Sequence, residues 1–212
     1  MRHRPIPRAP IPLAIAVACL LLCAPAGAEA PGPIGAPARS SAAAKARAPE
    51  LFDPETGLRV ARYRAPTPAD APGARTIGHE GLIAAVAAGA ALLDVAPEGA
   101  GTWFGPPEGW IGARPRATIP GALWAPGVGR GPSDPEMEAY LDAALAHLAR
   151  EGARPVVVFC FSDCWMSWNA AQRVARRLAP SGLETLWHPL GVDGWVEAGG
   201  RLATVLPFPP PP

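Results

Sequence analysis

Apolar residues recur at helical spacing most clearly over residues 133–152, SDPEMEAYLDAALAHLAREG, where Met137, Tyr140, Leu141, Ala144, Leu145 and Leu148 form one stripe. Ser133 or Asp134 supplies the cap, Pro135 opens the first turn, acids fall early and Gly152 stops the helix. HEGLIAAVAAGA, from His79, repeats the period with Leu82, Ile83, Val86 and Ala87. A third helix is predicted from about Met166 to Leu178, with Val174 and Leu178 turned inward and Arg173, Arg176 and Arg177 in solvent. Between the helices stand short unbroken apolar runs: ALLDV (91–95), IPGALW (119–124) after a turn, PVVVFC (155–160), and a strand within SGLETLWHPL (181–190). Such runs predict strands buried on both faces. The stretch 191–200, GVDGWVEAGG, predicts a closing turn with a short helix around Trp195. The alternation specifies an α/β fold, a parallel central sheet with helices on both faces, whose sites collect at the C-terminal ends of the strands.

The pattern stops over 96–118, which is dense in Gly and Pro and carries Trp103, Phe104 and Trp110; a connection of this length is functional or mobile. LFDPETGLRVARYRAPTP (51–68) mixes a short apolar stretch with turn residues and predicts an extra strand or strap laid on the domain. Residues 29–50, rich in Ala, Pro, Gly and Ser, read as a flexible lead-in. PFPPPP (207–212) reads as a polyproline tail. The expected organisation is therefore a leader over 1–28, the lead-in over 29–50, an N-terminal extension over 51–74 packing on the domain, one domain over 75–206, and the tail.

Residues 1–28 join a basic start (Arg2, Arg4, Arg8), an apolar stretch from Leu13 to Cys23, and the small residues Ala26, Gly27 and Ala28. This is the pattern of a cleaved secretory signal, and it predicts a periplasmic protein with no stable membrane span after cleavage. The rival readings are an uncleaved anchor, for which the run is about half of the roughly 20 residues a span needs, and a lipoprotein site at Cys19. Of 19 Lys+Arg and 18 Asp+Glu, removal of the signal leaves 16 basic residues against 18 acidic ones. No basic stripe remains to bind nucleic acid on charge alone. Cys19 and Cys23 also leave, so Cys160 and Cys164 are the cysteines of the mature chain.

These two stand where a buried strand passes through a tight loop into a helix. Converging amides and a helix N-terminus lower a thiol pKa at such a place. In an oxidising compartment a close pair is a staple, a redox pair, or a reactive thiol with a resolving partner. The spacing points to Cys160 as nucleophile and Cys164 as resolving thiol, because a tight loop brings two such residues within disulfide reach. Phe161, Ser162, Asp163 and Trp165 complete the loop, which holds Asp163 and neither Lys nor Arg, so an anionic donor meets amide dipoles and one carboxylate. Trp165 with Trp103, Phe104 and Trp110 forms a candidate apolar pocket over the sulfur. The plainer reading of Trp165 and Trp168 is packing under the loop. Asp94, at the end of ALLDV, is a candidate loop support or a strand-end hydrogen-bonding residue, and His188 a candidate base or the start of a His-Pro turn. His147 sits at the edge of its helix's packed face. One cysteine pair and the dispersed His79, His147 and His188 make no metal set, and there is no glycine-rich phosphate loop.

Four blocks in order, ALLDV, IPGALW, VVVFC with its six-residue loop and helix, and LGVDGWVEAGG (190–200), resemble a rhodanese domain over roughly Arg75 to Val205. The resemblance implies a rhodanese-like single domain in which the cysteine closing the strand, Cys160, carries a persulfide cradled by loop amides. Rhodaneses tend to have a cationic residue where Trp165 stands, which argues against efficient thiosulfate:cyanide transfer. The signal segment, residues 51–68 and CWMSWNAA (164–171) are further similar to the exported PQQ-dependent catabolism-associated CXXCW motif proteins. That likeness implies a setting beside pyrroloquinoline quinone alcohol oxidation, with a periplasmic quinoprotein dehydrogenase or cytochrome as partner and a small sulfur donor. PQQ enters by pathway association alone, with no bound cofactor expected. The family name puts two residues between the cysteines; here Phe161, Ser162 and Asp163 make three. The expected function is sulfur transfer or thiol redox chemistry at Cys160/Cys164. The alternatives are an accessory binding module with a structural disulfide and a reductase of partner disulfides.

Overall fold

The structure, a computed structural model, describes residues 40–132, 134–152 and 154–210. The signal segment 1–28, residues 29–39 of the lead-in and the last two tail residues lie outside the described residues. In chain order the elements are α1 (Ser41–Arg47), β1 (Arg75–Thr76), α2 (His79–Ala87), β2 (Ala91–Asp94), β3 (Thr102–Trp103), β4 (Trp110–Ile111), β5 (Arg116–Thr118), β6 (Ala122–Trp124), α3 (Pro135–Ala149), β7 (Val156–Phe159), α4 (Trp165–Leu178), β8 (Thr185–His188), α5 (Gly191–Glu197) and β9 (Ala203–Val205). Single 3-10 turns over Pro49–Leu51 and Ala179–Ser181 follow α1 and α4.

Five strands form one parallel sheet in the order β1-β8-β7-β2-β6. Every residue of β2, β7 and β8 is buried, which is why these strands read as continuous apolar runs rather than alternating ones. Alternate side chains nevertheless separate. Ala91, Leu93, Val156, Val158 and Trp187 pack with α3 and α4. Leu92, Val157, Phe159 and Leu186 pack with Leu82 of α2 and Val192 of α5. The fold is thus α/β with helices on both faces of a parallel sheet. No helix among the described residues is long and apolar enough to cross a membrane.

Three stretches depart from the pattern reading. The aperiodic 96–118 segment contains a β3-β4 hairpin and β5, and β5 pairs antiparallel with β9; strands of two or three residues are too short to show a period. Inside the lead-in, Ser41–Arg47 is helical. The run SAAAKAR is strong in helix formers, and Ser41 donates from both its N–H (2.6 Å) and its Oγ (2.7 Å) to the Asp70 carboxylate. The tail is laid against the domain as far as it is described. Pro207 bridges to Trp124, the Phe208 amide donates to the Trp124 carbonyl at 2.7 Å, and Tyr140 Oη donates to the Phe208 carbonyl at 2.6 Å.

A fourth departure bears on the site. α4 is buried on all sides from Trp165 to Ala175. One side meets β7 and β8; the other is covered by the extension 51–74 and by residues 128–131, and two of its polar side chains, Asn169 and Arg173, bond their backbone. Asn169 accepts from the Arg59 amide (2.9 Å) and donates to the Arg59 and Gly129 carbonyls (2.8 and 2.9 Å). Arg173, expected in solvent, is 3% exposed, donates to the Val128 and Arg130 carbonyls, and pairs with Glu138. Arg177 is held by Glu138 and Asp142 of α3, while Arg176 is exposed.

Candidate functional site

The loop after β7 is clamped from two directions. On one side α5 holds it: the Val192 amide donates to the Cys160 carbonyl (2.9 Å), Phe161 bridges to Gly191, and Asp193 accepts from the Ser162 amide (3.0 Å) and hydroxyl (2.8 Å). Gly191 is required here. It has a φ of +56°, and a Cβ would run into the Cys160 carbonyl. On the other side the extension zips onto the loop as a strap. Arg64 bridges to Cys164, the Ala65 amide donates to the Asp163 carbonyl (3.0 Å), and the Trp165 amide donates to the Tyr63 carbonyl (2.8 Å).

Both sulfurs are buried, Cys160 at 0% and Cys164 at 1% exposure, and the two thiols lie side by side with Sγ to Sγ 2.6 Å. Their surroundings differ. Cys164 is the N-cap of α4. Its pKa is held below the ordinary thiol value by the bond from Cys160 and, against the effect of burial, by the amides of Met166, Ser167 and Phe161. Burial pushes the Cys160 thiol well up, and the neighbouring Cys164 and the Asp94 carboxylate add to the effect. The field of the helix terminus, expected where the two cysteines stand, falls on Cys164. The helix begins at Trp165, so the second cysteine is the cap.

The remaining sequence candidates scatter. Asp94 is fully buried at the end of β2 and accepts from the Ala96 amide (2.9 Å), Arg116 Nε (2.7 Å) and the Thr118 hydroxyl (2.6 Å). Burial pushes its carboxyl up, against the pull of Arg116, Thr118 and the Ala96 amide. Phe161 is half-buried with two guanidinium groups over its ring, Arg116 at 4.5 Å and Arg64 at 5.0 Å from the centroid. Asp163 is exposed and turns the loop through a φ of +54°. Trp165 lies under the strap, its ring 4.2 Å from the Arg59 guanidinium and edge-on to Phe52 and Trp168. The aromatic pocket over the sulfur does not form. Trp103 and Trp110 stack on each other and on Tyr140 of α3 and line a separate hollow with Gly127 and Met137, and Phe104 is 60% exposed. His188 is buried on the α2/α5 face, away from Cys160, with Nδ1 3.1 Å from the Ile77 carbonyl and Nε2 unpartnered. Burial lowers its pKa.

Cys164 instead lines a hollow of about 500 Å³ with Arg62, Tyr63, Arg64, Ala65, Pro97, Glu98 and Met166. The sequence reading missed Arg62, Arg64, Arg116 and Asp193, since their approach to the loop is a property of the folded chain. The only local signal is LGVDGW, whose Asp193 sits beside the glycine that the loop requires. Among the described residues no three His, Cys, Asp or Glu side chains cluster to hold a metal.

No family model and no curated protein matches the chain. Among solved structures it is similar to a thiosulfate sulfurtransferase from Pseudomonas aeruginosa, with 19% identity and a TM-score of 0.37. It is also similar to the BH2092 protein from Bacillus halodurans, with 16% identity and a TM-score of 0.37. Each likeness covers 61% of this chain; it takes in 20% of the sulfurtransferase and 77% of the second protein.

Proposed function

We propose that this is an exported, rhodanese-like protein that carries out thiol redox or sulfur-transfer chemistry through the Cys160/Cys164 pair. The observation that carries the reading is the contact of the two sulfurs with Cys164 at the N-cap of α4. A depressed pKa makes Cys164 a thiolate at lower pH than an ordinary cysteine, and the thiolate is the nucleophile. In disulfide exchange, Cys164 attacks one sulfur of a substrate disulfide; that S–S bond breaks and the leaving thiolate takes a proton. Cys160 then gives up its proton and attacks Cys164 Sγ, which closes the Cys160–Cys164 disulfide and releases the second thiol. Two electrons pass from the protein to the substrate. With a sulfane donor, the first attack leaves a persulfide on Cys164, and the second expels hydrosulfide. Cys160, proposed from spacing as the nucleophile, becomes the resolving thiol.

Export and a place beside PQQ-dependent alcohol oxidation rest on the N-terminal segment and on CWMSWNAA. The second reading, an accessory module for a periplasmic dehydrogenase or cytochrome with a structural disulfide, draws on the burial of both sulfurs. Intact mass separates the two, measured on the protein as purified, after reduction, and after exposure to a small disulfide, thiosulfate or a persulfide. The redox reading expects the Cys160→Ser protein to accumulate an adduct at Cys164 and the Cys164→Ser protein to form none. A two-hydrogen deficit that withstands reduction, with no adduct on any variant, would establish the structural disulfide.

A further inference from the structure

The loop itself carries no cation, yet the fold brings cations to it from elsewhere. Two of the residues lining the hollow at Cys164 are Arg62 and Arg64, both exposed, supplied by a strap some hundred residues earlier in the chain. Among the described residues neither is in an ion pair. Glu98 is the acid on the same wall. Behind Phe161 stands a third guanidinium. Arg116, its side chain 7% exposed, spends Nε on Asp94 and leaves Nη2 buried with no acceptor. Arg62 also holds a φ of +49°; with Asp163 it is one of two non-glycine residues among those described that adopt the left-handed region, and both border this site.

We infer that the hollow selects a small anionic compound carrying an electrophilic sulfur, with Arg62 and Arg64 as its specificity-determining residues. The inference rests on the proposed dithiol reading and names its substrate class. Two arginines against one glutamate in the lining give the hollow a net positive charge, which favours an approaching anion. For a sulfur oxyanion such as tetrathionate the step balances. Cys164 attacks an inner sulfur, the central S–S bond breaks and thiosulfate leaves; Cys160 loses its proton and attacks Cys164 Sγ, releasing a second thiosulfate and closing the disulfide. The dithiol is oxidised and tetrathionate reduced by two electrons. An acidic organic disulfide, such as oxidised glutathione, offers the same charge and the same exchange with two thiols as products.

The test compares alkylation of the reduced, full-length protein by iodoacetate, an anion, and iodoacetamide, its neutral counterpart, followed by intact mass. The expected result is an iodoacetate-to-iodoacetamide rate ratio above that of free cysteine, falling about tenfold in the Arg62→Gln/Arg64→Gln protein, the lower end of electrostatic focusing. The Arg62→Lys/Arg64→Lys protein retains most of the ratio, which separates lost charge from a disturbed strap. A ratio equal to that of free cysteine, or one untouched by the glutamines, overturns the inference and leaves the dithiol reading standing. Thiols inert to both reagents overturn the two together. Oxidation by tetrathionate or by oxidised glutathione, whichever loses more rate in the glutamine protein, then identifies the anion as sulfonate or carboxylate in type.

Discussion

A single position in the helix register decides which sulfur caps α4. Had α4 begun at Met166, as its apolar period suggests, the cap would be Trp165; it begins at Trp165, and Cys164 takes the amides. The closeness of the two cysteines was legible in the sequence from their spacing, but which of them caps the helix was not, because periodicity locates a helix and leaves its first residue open. Alkylation of Cys164 should therefore gain rate with rising pH at a midpoint below that of a free thiol. In the Cys160→Ala protein the midpoint should move up, since the bond from Cys160 is the largest cause of the depression; stopped-flow alkylation across pH measures both. Gly191→Ala should cost roughly 2–3 kcal/mol in a denaturant titration, because its left-handed backbone and the missing space beside the Cys160 carbonyl act together.

At the scale of elements, the strap and α4 explain each other. Arg173 reads as the wet side of its helix, since a polar residue that serves another segment's backbone, as Arg173 and Asn169 do, looks the same in a sequence as one that serves water. The buried Arg59 amide and carbonyl of the strap, outside any long ladder, need Asn169 as their partner. Asn169→Ala should therefore leave the Arg59 amide and carbonyl and the Gly129 carbonyl unpaired, at a cost of roughly 3 kcal/mol. Limited proteolysis should then cut within 51–74 first, while the far-ultraviolet signal of the sheet and helices persists. The misplaced aromatic pocket has a related cause. Trp103 and Trp110 have Tyr140 to bury against, and a hairpin of two-residue strands carries them onto α3 rather than over the sulfur.

At the scale of the whole molecule, the parallel sheet and its covering helices were legible because central strands buried on both faces leave no alternative to unbroken apolar runs. The β5-β9 pair and the docked tail were not, being short and irregular. His188 ties the sheet to pH. Its ring is buried neutral at the end of β8, and burial depresses its pKa below the ordinary histidine value, with the charge of His79 adding to the effect against the Ile77 bond. Above the unfolded histidine's pKa both states are neutral there and stability is at its full value. As pH falls below it the unfolded chain binds a proton that the folded one resists, so stability declines. Urea midpoints should drop between pH 7.5 and pH 5, and His188→Asn, which keeps a donor for Ile77, should flatten the slope. The strap sets a last constraint, on the order of events in synthesis. Arg59 and its partner Asn169 are 110 residues apart, so the ribosome releases the strap long before the helix that will receive it. Until α4 has formed and that long loop has closed, the nascent sulfurs stand without their cover. The interval in which an outside oxidant or a stray thiol can reach them freely is therefore the interval before the strap docks.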